Sequence, residues 1–317
     1  MSNIIEIQGL TKKYGDLVAL NDLNLTIEEG AVFGFIGPNG AGKTTTMRIL
    51  TTLLKPTSGK AWVAGHSVTD DPRAVRREIG YMPDYFGVYD DMKVWEYLDF
   101  FAACYDVPQA TRVGMVDDLL ALVDLGHKKD AFVEGLSRGM KQRLCLARTL
   151  AHDPKILILD EPASGLDPRA RIEMRELLRE LKNMGKTIFF SSHILSEVAD
   201  ICTSIAILEA GRLVTHGDMH EMKKQLRQHR LIEVRILGEM EPLQEFLLQH
   251  ESVQETMVGL EADLPPDTIR FDFNGDDHAL SQILNQMTTA GIRVVSFHEE
   301  IGDLEDVFLK VTEGLVN

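Results

Sequence analysis

The stretch Gly37-Pro38-Asn39-Gly40-Ala41-Gly42-Lys43-Thr44 fits the pattern G-x-x-x-x-G-K-[ST]. Glycines let backbone N–H groups converge on phosphate oxygens, because no Cβ blocks the approach. The helical pattern from Thr45 to Leu54 adds the electropositive end of a helix behind the loop. In this pattern Lys43 reaches toward β- and γ-phosphates, and the Thr44 hydroxyl ligates Mg²⁺. A second signal is the apolar run Ile156-Leu157-Ile158-Leu159, which ends on Asp160-Glu161. A strand that delivers two carboxylates can divide their work. Asp160 suits Mg²⁺ through its water shell, and Glu161 can polarise a water for attack on a γ-phosphate. The two signals together point to phosphoryl transfer from a nucleoside triphosphate to water.

The loop needs a strand before it and a helix after it, and Val32–Ile36 supplies the strand. From Ile4 to about Gly217, short β-branched runs alternate with helical patterns. The predicted strands are Ile4–Gln8, Leu23–Ile27, Val32–Ile36, Ala61–Val63, Ile79–Met82, Ile156–Leu159, Thr187–Ser191 and Ser204–Leu208. Several are apolar throughout, as strands covered on both faces are, so this part reads as α/β. Strand signals vanish between residues 93 and 151. There Trp95, Leu98, Ala102 and Tyr105 recur at helical spacing, as do Val116, Leu119, Leu120 and Val123, which predicts an all-helical insertion.

From residue 231 onward the character changes. The patterns read β-α-β-β-α-β, a ferredoxin-like order, with a core from Ile232, Val234, Ile236, Leu247, Ile269, Phe271, Leu280, Ile283 and Val294. The sheet face away from the two helices is expected to carry apolar side chains and to serve for docking. A further helix is expected to leave the first domain from Met219 to about His229, and a last amphipathic one to place Leu304, Val307, Phe308 and Val311 on one face. The division expected is therefore residues 1–230 and residues 231–317.

The formal net charge of −16 on 317 residues argues against a protein that grips nucleic acid, which needs clustered Lys and Arg. Cys104, Cys145 and Cys202 lie far apart with no CxxC, so neither a disulfide framework nor a zinc site is expected. Each sits in an apolar stretch and reads as a small buried hydrophobe suited to a reducing compartment. The N-terminus lacks a signal-peptide pattern, and no apolar run approaches the roughly 18 residues of a spanning helix.

Leu136-Ser137-Arg138-Gly139-Met140-Lys141-Gln142-Arg143 resembles the signature of ATP-binding cassette (ABC) transporter ATPases, and it precedes Asp160-Glu161 by about the usual interval. Ser164-Gly165-Leu166-Asp167 resembles their D-loop. His193 stands where they carry a switch histidine, and Tyr14 where they stack an aromatic on adenine. The resemblance runs in unbroken order from Ile4 to Gly217. It extends in particular to the ATPases of bacterial type-2 exporters of drugs, antibiotics or polysaccharides.

The resemblance implies a P-loop cassette that binds ATP and Mg²⁺ along Gly37 to Thr45. Catalysis would rest on Lys43, Glu161 and His193, and the metal on Thr44, Asp160 and Asp84. It further implies a homodimer or heterodimer in which each nucleotide lies between one phosphate loop and the other chain's Ser137 and Gly139. A separate transmembrane permease would hold the pair on the cytoplasmic face of the cell membrane. Two departures stand out: Arg138 replaces one of the signature's two glycines and Met140 its glutamine, and Asp84 stands where most cassettes have glutamine. Tyr85, Phe86, Tyr89, Trp95, Tyr97, Phe100 and Phe101 read either as a groove for a permease helix or as the core of the helical insertion. Other functions are a soluble ABC ATPase of translation, a chromosome or repair ATPase, and a nucleotide-regulated adaptor. The first usually holds two cassettes, the second long coiled coils, and the third would not need Glu161 and His193.

Overall fold

The structure, a computed structural model, describes residues 2–85, 87, 89, 91–194, 198, 200–219, 230–258 and 265–300. They form two units, each with its own core, the first ending at Met219. The helices expected at the end of the first unit and at the C-terminus fall outside the described residues, apart from Met219 itself.

Two sheets make up the first unit. An antiparallel one has the order β2-β1-β4-β5, with β1 at Asn3–Tyr14, β2 at Leu17–Glu28, β4 at Ser58–Val63 and β5 at His66–Ser67. β1 and β2 are longer than their apolar runs predict. Their pairing continues through irregularities, one of them between Ile7 and Leu10 and spanning Gly9, which lets the hairpin bend and extend past the alternating segment. The second sheet has the order β10-β9-β3-β8-β7-β6. Its strands are β3 (Val32–Ile36), β6 (Ile79–Met82), β7 (Ile156–Leu159), β8 (Thr187–Ser192), β9 (Ser204–Glu209) and β10 (Arg212–Asp218). All neighbours are parallel except β9 and β10, which form a hairpin. β3, β7 and β8 are buried at every position. A single apolar cluster links the two sheets, with Ile5, Ile7, Leu10 and Leu23 from one and Phe35, Ile158 and Phe189 from the other.

Helices α1 (Lys43–Leu50) and α2 (Pro72–Glu78) follow β3 and β5. The insertion between residues 93 and 151 is helical as expected, with α3 (Val94–Cys104), α4 (Gln109–Leu122) and α5 (Arg138–Thr149). α4 buries Val116, Leu119 and Leu120, with Val123 just beyond it. α3 is rotated from the expected face: it buries Val94, Tyr97, Leu98 and Ala102, whereas Trp95 is half-buried and Tyr105 exposed. Periodicity alone cannot choose between adjacent apolar stripes on so apolar a helix. Cys145 and Cys202 are buried, but Cys104, the last residue of α3, is exposed, which corrects the expectation for that thiol. α6 (Pro168–Asn183) starts at Asp167, whose side chain accepts from the Ala170 N–H at 2.9 Å, with Pro168 in the first turn.

The second unit runs β11 (Arg230–Ile236), α7 (Glu241–Leu248), β12 (Val253–Val258), β13 (Thr268–Phe273), α8 (Asp277–Thr289) and β14 (Val294–Glu300). Its antiparallel sheet has the order β12-β13-β11-β14, the ferredoxin-like arrangement. Ile232, Val234, Ile236, Leu247, Ile269, Phe271 and Ile283 are buried as expected, joined by Leu243, Phe273 and Met287, while Leu280 and Val294 are partly buried. The sheet face away from this core is not the apolar surface expected. Alternation puts Glu233, Arg235, Arg270 and Asp272 there beside Leu231, and Glu233 pairs with Arg270 at 2.9 Å and faces His298 at 3.6 Å.

Candidate nucleotide-binding site

The parallel strands set the site. In register, Ile36 of β3 lies beside Ser192 of β8, Phe190 beside Leu159 of β7, and Leu159 beside Met82 of β6. Their carboxyl ends therefore line up, and the segments leaving those ends meet at one edge of the sheet. Such an edge is where open α/β sheets bind ligands. The phosphate loop leaves β3, Asp84 follows β6, Asp160-Glu161 follow β7, and His193 follows β8.

A cavity of ≈ 440 Å³ opens there, lined by Tyr14, Leu17, Ala19, the loop from Asn39 to Thr45, Asp84, Glu161, Ser164 and His193. The loop is held open from within. Gly42 sits at φ 105°, a conformation strained for any residue with a side chain, and a Cβ there would meet the Ala19 carbonyl at 2.6 Å. Lys43 is buried and donates to the carbonyls of Gly37 at 2.6 Å and Pro38 at 3.1 Å. These two residues, which do not line the cavity, therefore orient the lysine. Burial lowers the Lys43 pKa, opposed by the nearby Glu161 and Asp160 carboxylates. Tyr14 ends β1, is 47% exposed, lines the cavity, and has the Lys12 ammonium 5.1 Å from its ring centre.

Glu161 is held from three sides. Its Oε2 lies 2.7 Å from His193 Nδ1, its Oε1 3.6 Å from Lys43 Nζ, and its N–H donates to Ser191 Oγ at 2.9 Å. Its backbone is left-handed, at φ 49°. A non-glycine residue keeps that conformation only where its surroundings impose it, and such residues gather at functional sites. Ser191 also donates to Asp160 Oδ1 at 2.7 Å. One buried hydroxyl thus positions both carboxylate residues. The sequence reading used Ser191 only as the end of a strand, and its place directly before Ser192-His193 is the signal that could have marked it. Leu17 and Ala19 are likewise cavity residues that spacing did not single out, and Ser164 enters the lining from the D-loop-like segment.

Asp160 is 1% exposed, and among the described residues its Oδ2 has no hydrogen-bond partner. Burial raises its pKa, the Ser191 and Thr44 hydroxyls oppose this, and the Asp84 and Glu161 carboxylates add to it. An unsatisfied buried carboxylate oxygen beside two further carboxylates is a place where a cation, or its bound water, relieves a cost. Among the described residues no group of three or more His, Cys, Asp or Glu could enclose a metal. Thr44 and Asp160 offer only hard oxygens, with Asp84 exposed nearby. That sparse set fits Mg²⁺, which keeps several waters and takes phosphate oxygens as ligands.

Ser137 and Gly139 do not line the cavity of their own chain. Ser137 caps α5, with its Oγ accepting from the Met140 N–H at 3.3 Å, and Gly139 lies in the first turn. The aromatic residues divide between core and surface. Tyr97 is fully buried, Tyr85, Tyr89 and Phe100 are exposed, and Phe86 lies outside the described residues.

A family model described as ABC transporter matches residues 20–164, and one described as ATP-binding protein DrrA1-3-like, C-terminal domain, matches residues 217–312. A Nod factor export ATP-binding protein I of Cupriavidus metallidurans is 33% identical over 312 residues, which span 98% of each chain. Among solved structures, cbiO1 of Clostridium perfringens, part of the ABC transporter complex cbiONQ, has a TM-score of 0.64 at 29% identity, covering 72% of this chain and 94% of that one. A dimeric ATP-binding cassette in a post-hydrolysis state, bound to ADP and Pi, has a TM-score of 0.62 at 25% identity, covering 68% of this chain and 98% of that one. With a full-length relative at that identity and a phosphate loop in the strand–loop–helix setting its chemistry needs, the chain belongs to the family of ABC transporter ATP-binding proteins, which are nucleotide-binding ATPases.

Proposed function

We propose that this chain hydrolyses ATP as one of a head-to-tail pair and drives a separate permease in an export system. The observation that carries the reading is the constellation of Lys43, Glu161 and His193 in one cavity, with Ser137 and Gly139 outside it. Glu161 would accept a proton from the attacking water, with its carboxylate aimed by His193 and its backbone by Ser191. Lys43 would neutralise the phosphates. His193 would hydrogen-bond the γ-phosphate and register its loss. Tyr14 would stack on adenine. The loop from Gly37 to Thr45 would hold the phosphates. Thr44 and Asp160 would hold Mg²⁺, with Asp84 facing it; the bound ion supplies charge neutralisation for the phosphates. Ser137 and the Gly139 N–H at the start of α5 would donate to the partner's γ-phosphate.

A groove of ≈ 640 Å³ supports the permease reading. Tyr81, Phe101, Tyr105 and Ile79 form its walls, and Arg48, Arg76 and Arg148 line it. Arg76 donates to Thr52 Oγ1 at 2.8 Å, and Arg148 to the Tyr97 hydroxyl at 3.0 Å while lying over Phe101. These partners are neutral, so the groove suits a segment of another protein that offers apolar side chains and a carboxylate.

No described helix is long and apolar enough to cross a membrane. On this reading the chain acts peripherally, at the cytoplasmic face of the cell membrane. The cassette would span residues 1–230, and the accessory unit, residues 231–317, would tether or regulate the pair. Removing everything after Gln228 should leave nucleotide affinity unchanged and weaken pairing; a truncated chain that pairs normally refutes that role. The deciding experiment for the cassette is Glu161→Gln. It should retain ATP binding, lose roughly 10²–10⁴ in turnover, and elute as a dimer in Mg-ATP. A variant that hydrolyses normally and stays monomeric overturns the reading.

A further inference from the structure

Arg138 occupies the signature position where a glycine is usual, and its side chain has a defined place. Its Nη2 donates to the Ser164 carbonyl at 3.3 Å. The guanidinium lies in the space a side chain on residue 165 would fill. A Cβ on Gly165 would be 2.3 Å from Arg138 Nη2 and 2.4 Å from its Cζ. Gly165 is also left-handed, at φ 66°, so glycine serves both the turn and the close approach.

Behind this contact the same two elements are tied together more deeply. Buried Gln142 of α5 donates to the Pro162 carbonyl. The Gly139 backbone approaches Ala170 so closely that a Cβ there would sit at 3.1 Å. The segment from Pro162 to Asp167 thus lies against the first turns of α5. At one end it begins at Glu161, and in its middle Ser164 lines the nucleotide cavity of its own chain. The start of α5, with Ser137 and Gly139, lies outside that cavity.

We propose that Arg138 is a positioning residue that couples the two nucleotide sites of the pair. It latches the Ser164-Gly165 turn, which senses the chain's own nucleotide, to the start of α5, which serves the partner's. This rests on the head-to-tail reading above. Nucleotide in one cavity then biases the presentation of Ser137 and Gly139 to the other, which is a coupling between sites in the thermodynamic sense. A glycine at position 138 would remove this contact and keep the Gln142 anchor, set back one helical turn.

The test uses the full-length protein with Arg138→Gly and Arg138→Lys. Hydrogen exchange is followed over residues 161–167 with and without Mg-ATP, and ATPase rate is followed against ATP concentration. In Arg138→Gly, exchange at residues 163–166 should accelerate while that at 37–45 stays unchanged. The kcat should fall about fivefold, the worth of one charge-assisted hydrogen bond at a partly exposed site. The KM should hold within about twofold and the Hill coefficient drop toward one, since only the link between sites is lost. Arg138→Lys, which keeps a cationic donor, should recover much of both. Exchange as slow in Arg138→Gly as in the wild type overturns the latch, and an unchanged Hill coefficient overturns the coupling. A wild type that hydrolyses without cooperativity also overturns the coupling. The pair itself is judged separately, by whether Glu161→Gln dimerises in Mg-ATP.

Discussion

Replacing Ser191 by alanine should damage both the fold and the reaction, and by an amount the geometry sets. The Ser191 side chain is fully buried and makes two hydrogen bonds, to Asp160 Oδ1 at 2.7 Å and from the Glu161 N–H at 2.9 Å. Alanine leaves a buried carboxylate oxygen and a part-buried amide without these partners. Each orphaned group costs about 1–3 kcal/mol, with the charged one toward the upper end. Part of this is offset because no hydroxyl need be desolvated, so a net loss of about 3 kcal/mol is expected. For a unit of this size that lowers the melting midpoint by roughly 6–12 °C. Asp160 already has a raised pKa that the Ser191 hydroxyl opposes, so the variant's Asp160 should titrate higher still. The ionised carboxylate then costs the fold more at neutral pH, and the variant's deficit should shrink as pH falls through that raised pKa, because protonation relieves the cost. Glu161, left-handed and released from its amide anchor, should fall in kcat more than in ATP affinity, because its alignment matters only at the chemical step. Thermal denaturation and steady-state ATPase assays measure both, with Ser191→Thr as the variant that keeps a hydroxyl. A Ser191→Ala protein that melts within about 1 °C of the wild type and keeps its kcat would refute the reasoning.

Lys43→Ala should weaken ATP binding by roughly 10- to 100-fold, the worth of a charge-assisted contact present before reaction, as read by titration calorimetry. Asp84→Asn should leave the Mg²⁺ requirement of the isolated ATPase unchanged and lower transport in a reconstituted system. A raised Mg²⁺ requirement would instead make Asp84 a direct ligand. His152 lies stacked on Tyr105 at 3.8 Å, and burial holds its pKa below the ordinary histidine value. The unfolded chain therefore binds a proton that the folded one refuses. Stability from this source is full above the ordinary histidine pKa and declines as pH drops through it. A melting curve series across that range should show the slope, and His152→Gln should reduce it. Thiol alkylation followed by mass spectrometry should modify exposed Cys104 and spare Cys145, whose pKa burial pushes up to about 11; labelling of Cys145 in the native protein would contradict its burial.

The chemistry of this protein is legible wherever it is local in the chain. The phosphate loop, the carboxylate pair and the signature each need a few residue types at fixed spacing on one strand end or helix start. Their geometry follows from short-range rules, and the structure sets Lys43, Glu161 and His193 within a few ångströms of one another. The ferredoxin-like order of the second unit was also legible, because strand and helix periods differ. Contacts between distant segments were not. Ser191 owes its importance to lying 31 residues from Asp160 along the chain but beside it in space, each one step past the paired Leu159 and Phe190. The face that α3 buries depended on what packs against it, since several stripes of that helix are apolar. The charged face of the second sheet required knowing which alternate residues meet the helices. Spacing also placed Arg138 in the signature without showing that its guanidinium rests on Gly165, because that meeting is made by the packing of α5 against a loop that follows a different strand. Local sequence determined which reactive groups exist and on what elements; the parallel register of β6, β7, β8 and β3 decided which of them share a site.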